Sequence, residues 1–201
     1  MSGPCYSREA AFPGRVAGVD EAGRGPWAGP VVAAAVVLDP KCIPEGLNDS
    51  KQLTAERRAG LWQALVDCAD IGVGIASVEE IDTINIHWAT MLAMERAVTA
   101  LKTDCAHVLV DGNRKPKWTR STETIVSGDA LCISIAAASI IAKVTRDRMM
   151  IELAERHDGY GWHTNKGYGT AEHSRALKSL GVTPHHRRSF APVAAWLLAN
   201  A

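Results

Sequence analysis

The chain of 201 residues is 47% hydrophobic, which predicts one globular domain with a substantial core. Its longest apolar run is about a dozen residues, short of the ~20 that a bilayer-spanning helix needs, and residues 1–15 lack the apolar stretch of a signal peptide. The formal net charge is zero, but residues 1–110 carry 9 basic and 14 acidic side chains and residues 111–201 carry 13 and 8. This division is typical of a protein that holds metal with one half and phosphate with the other, and chance asymmetry is the alternative.

Residues 1–14 show no periodicity, so we predict a flexible N-terminal tail there and a single domain over residues 15–201. The apolar run that follows predicts a buried strand at about residues 15–21, which ends at the adjacent acids Asp20 and Glu21. Successive strand residues point to opposite faces, so these acids can serve one site only if the strand ends or bulges there. A solvated strand end is the alternative.

A glycine loop follows the two acids. Gly23 and Gly25 flank Arg24, and glycine lets a backbone turn sharply and approach a ligand closely. Carboxylates beside such a loop are one way to build a cation site next to a phosphate. The pattern Gly-x-Gly-x-x-Ala also fits a dinucleotide-binding loop, but the neighbouring acids would repel a pyrophosphate. A second apolar run at residues 30–39 predicts another strand, which favours a hairpin over that alternative.

The rest of the chain shows the periodicities of further strands and helices. Strands are expected at about residues 71–78, 107–113 and 124–126, and helices at about residues 54–68, 80–102, 131–150, 171–180 and 191–199. Asp49, Ser50 or Thr54 is expected to cap the first helix, and Trp88 is expected in the core.

Another acid also stands at the end of a predicted strand: Asp111, followed by Gly112. Active sites in open α/β sheets form beyond strand ends, so Asp111 would meet Asp20 if the two strands were neighbours. Asp129 precedes the next helix, where helix capping and metal binding are both open. The loop at residues 114–120 places four positive charges around one tryptophan, either as a solvated loop or as a contact to a nucleic-acid backbone.

The cysteines and histidines carry weaker signals. The five cysteines are scattered and form no C-x-x-C pair, which favours reduced thiols and a cytoplasmic protein. Five histidines lie between residues 157 and 186, but their spacing fits no recognised zinc pattern. Phosphate-facing or solvated histidines are the simpler interpretation.

Six separated stretches, in this order, resemble bacterial ribonuclease HII, the type 2 ribonuclease H family: DEAGRGPWAGP at 20–30, NDSKQL at 48–53, VDGN at 110–113, SGD at 127–129 with AASIIAKVTRD at 137–147, KGYGT at 166–170 and HRRSF at 186–190. The resemblance covers nearly the whole chain from about residue 15. It implies an α/β, ribonuclease H-like fold: a mixed five-stranded sheet flanked by helices, with a small helical C-terminal part from about residue 160.

The resemblance also implies an activity. A ribonuclease HII is a metal-dependent endonuclease that hydrolyses the RNA strand of RNA/DNA hybrids. It also cuts 5′ of single ribonucleotides in duplex DNA, leaving 3′-hydroxyl and 5′-phosphate ends. The expected partners are therefore these duplexes, and we expect a cytoplasmic monomer. The final residues, AAWLLANA, lack the glutamine-and-double-aromatic tail that some relatives use to bind a sliding clamp, so no clamp partner is expected.

The family's functional residues can be placed by motif. Its catalytic and metal-binding carboxylates fall on Asp20, Glu21, Asp111 and Asp129. Its reader of the ribose 2′-hydroxyl falls on Gly23, Arg24 and Gly25, and its substrate-sensing tyrosine falls on Tyr168, not on Tyr160. The motifs that relatives place near the substrate backbone contain Lys51, Ser139 and Lys143. Four carboxylates without a thiolate suit Mg²⁺ or Mn²⁺, and a two-metal site is expected for phosphodiester hydrolysis.

Two other classes of function remain open at this stage. A dinucleotide-dependent oxidoreductase built on the GRGPWA loop would bind NAD and be indifferent to chelators. A non-catalytic module that binds nucleic acid through basic residues of the 111–188 segment would bind in a salt-sensitive way without divalent metal and release no product.

Overall fold

The structure is a computed structural model that describes residues 3–201. Its centre is a five-stranded sheet in the order β3-β2-β1-β4-β5. The strands are β1 (Val16–Ala22), β2 (Val31–Leu38), β3 (Ala69–Ala76), β4 (His107–Asp111) and β5 (Thr122–Ile125). The first three strands are antiparallel, and β4 and β5 run parallel to β1. This arrangement confirms the predicted mixed five-stranded sheet.

The chain leaves β1 through the glycine loop and returns at once as β2. The two strands pair antiparallel, with Asp20 opposite Ala34, as the predicted hairpin requires. A dinucleotide-binding loop would instead lead from a strand into a helix whose N-terminus binds the pyrophosphate. The fold therefore removes the structural basis of the oxidoreductase alternative.

Six α-helices surround the sheet. They are α1 (Ala55–Cys68), α2 (Val78–Thr99), α3 (Ile133–Arg156), α4 (Trp162–Asn165), α5 (Ala171–Leu180) and α6 (Ala191–Ala199). Helix α2 packs on one face of the sheet, and α1 and α3 pack on the other. Within residues 3–201, none of the helices is both long enough and apolar enough to cross a membrane.

Strand β2 separates the two halves of the core. Ala33 and Ala35 face the side of α2, whereas Ala34 and Val36 face α1 and α3, because successive side chains alternate between faces. Every residue of β2 is buried, as expected for a strand that is covered on both faces.

The predicted helix caps are resolved by the structure. The Thr54 hydroxyl accepts a hydrogen bond from the Arg57 amide and caps α1, while Asp49 accepts from the Lys51 amide and caps a short 3-10 turn before it. Asp129 lies in a separate 3-10 turn, Gly128–Ala130, and α3 begins only at Ile133 without a side-chain cap. The capping alternative for Asp129 is therefore wrong.

Two helices differ from their predicted environment. Helix α2 is broken at Asn85, whose φ of 66° is left-handed and whose side chain accepts hydrogen bonds from the amides of His87 and Trp88. This break turns Trp88 outward, so it is 40% exposed and not a core residue. In α3, the charged residues from Arg146 onward would ordinarily face solvent, but Arg146 is fully buried.

The segment before β1 contacts the domain at several points. The backbone of Cys5 pairs with the backbone of Cys132 in an isolated parallel β-bridge. Glu9 is buried and accepts hydrogen bonds from the amide and hydroxyl of Ser134, at 2.9 and 2.6 Å. These contacts anchor part of the predicted tail, while a domain boundary at residue 15 stays a prediction. All five cysteines are free thiols.

At Gly18 the backbone of α3 crosses close to β1. We therefore predict a large difference in stability between substitutions at Gly18 and at Gly60, where there is free space. A β-carbon on Gly18 would lie 2.2 Å from the carbonyl carbon of Ser134, so we expect Gly18→Ala to lower the free energy of unfolding by about 3 kcal/mol. Gly60 lies exposed in α1 with no atom within 4 Å of such a β-carbon. We expect Gly60→Ala to raise stability by up to about 1 kcal/mol. Urea unfolding checks both, and equal effects would contradict this packing.

Candidate active site

Three of the four predicted carboxylates lie at the ends of two neighbouring strands. The parallel register pairs Val19 of β1 with Val110 of β4, so Asp20 and Asp111 are the next residues along each strand. Glu21 follows Asp20 while β1 still pairs with β2. The strand neither ends nor bulges between these two acids, contrary to our expectation; its pairing with β4 stops at Val19, and both acids still line the same part of an open cleft. Because β1 and β4 are neighbours in the sheet, Asp111 lies beside Asp20, as we expected.

Asp129 reaches the same place through a tight turn. The Asp111 carboxylate accepts a hydrogen bond from the Gly128 amide at 2.7 Å. Ser127 before it has a left-handed φ of 56°, which non-glycine residues rarely adopt. A β-carbon on Gly128 would meet the Ile135 side chain at 2.7 Å. The turn is therefore hydrogen-bonded to Asp111, and it carries Asp129 in the next position.

The acids repel one another in a partly dry environment. Burial raises the pKa of Asp20 well above its usual value, and the charges of Glu21, Asp111 and Asp129 raise it further. Burial also raises the pKa of Glu21, against the pull of Arg24, whose guanidinium lies 3.3 Å from the carboxylate. The pKa of Asp129 is raised by burial and then by Asp49 and Asp111. The site therefore carries negative charge that the protein itself does not neutralise.

Lys51 is the cation that faces this cluster. Partial burial would lower its pKa, but Asp49 and the acids Asp20, Asp129 and Asp111 raise it above the usual lysine value. One ammonium group, together with the Arg24 guanidinium beside Glu21, does not balance four carboxylates. Asp49, a candidate helix cap from its place in the sequence, also lies close enough to Asp129 to raise the pKa of that acid, and no sequence pattern predicts this contact.

The donor chemistry fits a hard divalent cation. Carboxylate oxygens are the ligands that Mg²⁺ and Mn²⁺ prefer, and the raised pKa values indicate a place where positive charge is favoured. No three Asp, Glu, His or Cys side chains between residues 3 and 201 already form a finished metal-ligand group. The fit therefore rests on chemistry and charge.

An open cleft runs past the acids in two parts that share Glu21 and Arg24. The first part has a volume of about 360 Å³, and its lining includes Asp20, Glu21, Gly23, Arg24, Gly25, Lys51, Lys143 and Tyr168. The second has a volume of about 530 Å³, and its lining includes Glu21, Arg24, Trp88, Asp111, Asn113 and Arg114. Lys117 of the basic loop lies over the Trp88 ring, 4.7 Å from its centre.

The predicted substrate-contacting residues divide into two groups. Tyr168 is 46% exposed, and its ring lies 3.5 Å from where a β-carbon on Gly25 would be. Lys143 lines the same part of the cleft and pairs with Asp147 at 2.8 Å. Ser139, in contrast, is buried and accepts a hydrogen bond from the Ser50 amide. It therefore supports the segment that carries Lys51.

Two buried arginines under the glycine loop were missed by the sequence analysis. Arg146 donates to the carbonyl oxygens of Ala28, Pro30 and Lys166. Arg187 donates to carbonyl oxygens of residues 23–30 and has no exposed surface. Nothing in a basic stretch such as HRRSF distinguishes a buried arginine from a solvated one.

Two of the five histidines, His173 and His186, are buried in a hydrogen-bond chain and are not solvated or phosphate-facing as the sequence suggested. His173 donates through Nδ1 to the Tyr168 carbonyl, so its Nε2 accepts from Trp162, at 3.2 Å. His186 accepts at Nδ1 from the Thr183 amide, so its Nε2 donates to His173, at 3.1 Å. Both rings must be neutral for this chain to form. The chain ends on the backbone carbonyl of Tyr168, whose side chain is exposed.

The solved structures that resemble this fold define its class. Ribonuclease H2 from Pyrococcus horikoshii OT3 superposes with a TM-score of 0.78 at 30% identity, covering 92% of this chain and 98% of that one. RNase HIII, solved as Bst-RNase HIII in complex with Mn²⁺, superposes with a TM-score of 0.72 at 20% identity, covering 92% and 70%, and supports the fold alone. The protein therefore has a ribonuclease H-like fold.

The sequence comparisons specify the family. The family model for Ribonuclease HII matches residues 17–193. The Ribonuclease HII of Rhizorhabdus wittichii is 62% identical over 98% of both chains, and that of a Jannaschia species is 57% identical over 96% of this chain and 97% of the relative. The chain belongs to the ribonuclease HII family, and it is an endoribonuclease.

The buried histidine chain predicts a pH-dependent stability. Burial and then the neighbouring histidines lower the pKa of His186 to about 3, and burial lowers that of His173. The unfolded chain binds these protons near pH 6.5 and the native state does not. Stability is therefore retained above about pH 6.5 and lost as the pH falls, by up to about 1.4 kcal/mol per pH unit for each histidine.

Urea unfolding of the wild type and two variants between about pH 5 and pH 7 measures this slope. We expect His186→Gln to have a shallower pH dependence than the wild type, because one suppressed protonation has been removed. His163→Gln, at an exposed histidine, should keep the wild-type slope. A slope unchanged in His186→Gln would show that His186 is not held neutral.

Proposed function

We propose that this protein is a metal-dependent endonuclease that hydrolyses the RNA strand of RNA/DNA hybrids and cuts 5′ of single ribonucleotides in duplex DNA. The observation that supports the proposal is that the neighbouring ends of β1 and β4 present Asp20 and Asp111 together, with the turn that carries Asp129 hydrogen-bonded to Asp111. Membership of the ribonuclease HII family supports the choice of substrate. Such cutting would begin the removal of ribonucleotides from DNA.

The four carboxylates would hold the metal, and the charges of the other three all act on Asp20. When bound, two Mg²⁺ or Mn²⁺ ions would lower the pKa of the attacking water and stabilise the leaving 3′-oxygen, giving 3′-hydroxyl and 5′-phosphate ends. Lys51 and Lys143 would attract the phosphate backbone from the same part of the cleft.

The ribonucleotide would be recognised by the other residues that line the first part of the cleft. The backbone of Gly23, Arg24 and Gly25 would read the 2′-hydroxyl, the group that distinguishes RNA from DNA. The exposed ring of Tyr168, next to Gly25, would stack on the adjoining sugar. A deoxyribose at that position would fit the ring better than a ribose.

We propose a monomeric enzyme that acts directly on these duplexes. A ribonuclease HII from Archaeoglobus fulgidus, 25% identical with a TM-score of 0.74, was solved in a complex with PCNA. In this chain, residues 194–201 lack a glutamine with paired aromatics. The absence of a clamp partner stays a prediction.

The metal requirement and the role of Asp20 can be tested together. We expect the wild type to cut a duplex that contains one ribonucleotide with Mg²⁺ or Mn²⁺ and not with EDTA. Asp20→Asn should bind this duplex but lose at least about 10³-fold in cleavage rate, because a neutral amide holds a cation poorly. Gel analysis of end-labelled duplex measures cleavage, and fluorescence anisotropy measures binding.

Asp67→Asn is the matched control, because Asp67 is an exposed acid on α1. It should cut like the wild type. A wild type that binds the duplex but cuts it under no metal condition would instead establish the non-catalytic binding module.

A second pair of variants tests the assignment of the tyrosine. Tyr168→Ala should cut an isolated ribonucleotide about 10-fold to 100-fold more slowly without loss of stability, because the exposed ring stacks on substrate and not on protein. Tyr160 is buried and donates to the Gly181 carbonyl, so Tyr160→Ala should cost about 3–5 kcal/mol of folding stability. Cleavage assays and thermal unfolding separate the two effects. Wild-type cleavage by Tyr168→Ala would remove the proposed role of this residue.

A further inference from the structure

Arg187 is a fully buried guanidinium whose hydrogen bonds all go to backbone carbonyl oxygens of the glycine loop. Nε donates to Gly29 at 2.9 Å, Nη1 donates to Arg24 at 2.9 Å, and Nη2 donates to Gly23 at 2.6 Å and Pro30 at 3.1 Å. No carboxylate pairs with it in the described part of the chain. Burying a cation without a counter-charge is costly, so the arrangement calls for a role beyond packing.

The direction of these carbonyl groups determines the direction of the amides that follow them. In a trans peptide the C=O and N–H bonds point to opposite sides, and no cis peptide occurs in the described residues. Because the carbonyls of Gly23 and Arg24 point inward to Arg187, the amide N–H groups of Arg24 and Gly25 point outward. Both residues line the cleft. Neither amide donates to a protein acceptor within residues 3–201.

The backbone around Arg187 is fixed by its own hydrogen bonds. Its amide donates to the Trp27 carbonyl at 2.8 Å. The Asp82 carboxylate accepts hydrogen bonds from the amides of Arg188 and Ser189, both at 2.9 Å. Arg146 fills the space beneath Gly23, where a β-carbon would lie 2.0 Å from its Nε atom. The loop is thus supported from below by two guanidinium groups and cannot easily rotate its peptide units.

We propose that Arg187 is a positioning residue for the discrimination of ribose from deoxyribose. By binding the carbonyls of Gly23 and Arg24, it aims the amides of Arg24 and Gly25 at the oxygen of a 2′-hydroxyl. A deoxyribose offers no oxygen there and leaves two aligned donors without an acceptor, and a site built in this way rejects the analogue strongly. This inference rests on the proposed function, because it assumes that the loop contacts the ribose.

The experiment measures preference apart from cleavage. Two duplexes that differ only in one ribonucleotide are titrated with protein in EDTA, and the ratio of the two dissociation constants gives the preference. Arg187→Lys keeps the charge but loses the planar fork that binds several carbonyls at once. We expect it to reduce the ratio about tenfold, mainly by weakening binding of the ribonucleotide-containing duplex.

Arg188→Lys is the matched control, since Arg188 is the exposed neighbour in the same motif. It should leave the ratio unchanged. Thermal unfolding confirms that each variant is folded. A folded Arg187→Lys with the wild-type ratio would overturn the inference, whereas a wild type that neither prefers the ribonucleotide nor cuts it with metal would refute the proposed function instead.

A second measurement needs no variant and covers the case in which Arg187→Lys does not fold. Amide hydrogen exchange of the wild type should show Arg24 and Gly25 unprotected in the free protein. They should become protected with the ribonucleotide-containing duplex in EDTA, and not with the all-deoxyribose duplex. Amides that are protected in the free protein, or that respond equally to both duplexes, would overturn the inference.

Discussion

The parallel pairing of β1 with β4 is the contact on which the candidate site depends. Strands β1 and β2 form a hairpin through the glycine loop, and β3 returns beside β2 after α1, so each of these strands pairs with its neighbour in sequence. Strand β4 reaches β1 only after α2 has crossed the sheet. Its register, Val19 opposite Val110, places two carboxylates side by side at the sheet edge. A shift by one residue would turn one of them to the other face.

Bringing these acids together opposes folding, and the fold compensates through its backbone. The Gly128 amide binds Asp111, the Glu21 amide binds Asp20 at 2.7 Å, and Lys51 supplies one positive charge. The pKa of Asp20 is nevertheless raised, first by burial and then by the charges of the neighbouring acids. A site that gives up stability in this way is suited to hold cations, because each bound cation would remove the repulsion that the protein retains.

The sequence predicts the local elements well because hydrophobic periodicity and turn residues are local. All five strands and the five longer helices lie within a few residues of their predicted places, although α3 extends to Arg156. The failures are tertiary. The exposure of Trp88 follows from the break at Asn85, and the burial of Arg146 follows from carbonyls contributed by three distant residues. No spacing rule within a helix encodes either one. The meeting of the carboxylates was likewise predictable only by analogy with a family, since it depends on strand order.

The glycine loop of the site is held in place by the C-terminal part of the chain and not by the sheet alone. The glycine loop has no regular hydrogen bonds to a neighbouring strand beyond Ala22, so the sheet alone does not orient it. Residues 160–190 provide that support with partners that differ in charge. Arg187 binds carbonyls of the loop, and the neutral His173 binds the Tyr168 carbonyl from inside a cluster of aromatic rings. Cationic donors below the loop leave its amides free, whereas carboxylates in their place would compete for those amides and add to the charge of the nearby acids. The choice of arginine and neutral histidine is therefore consistent with a loop that presents donors to a substrate beside a strongly acidic centre.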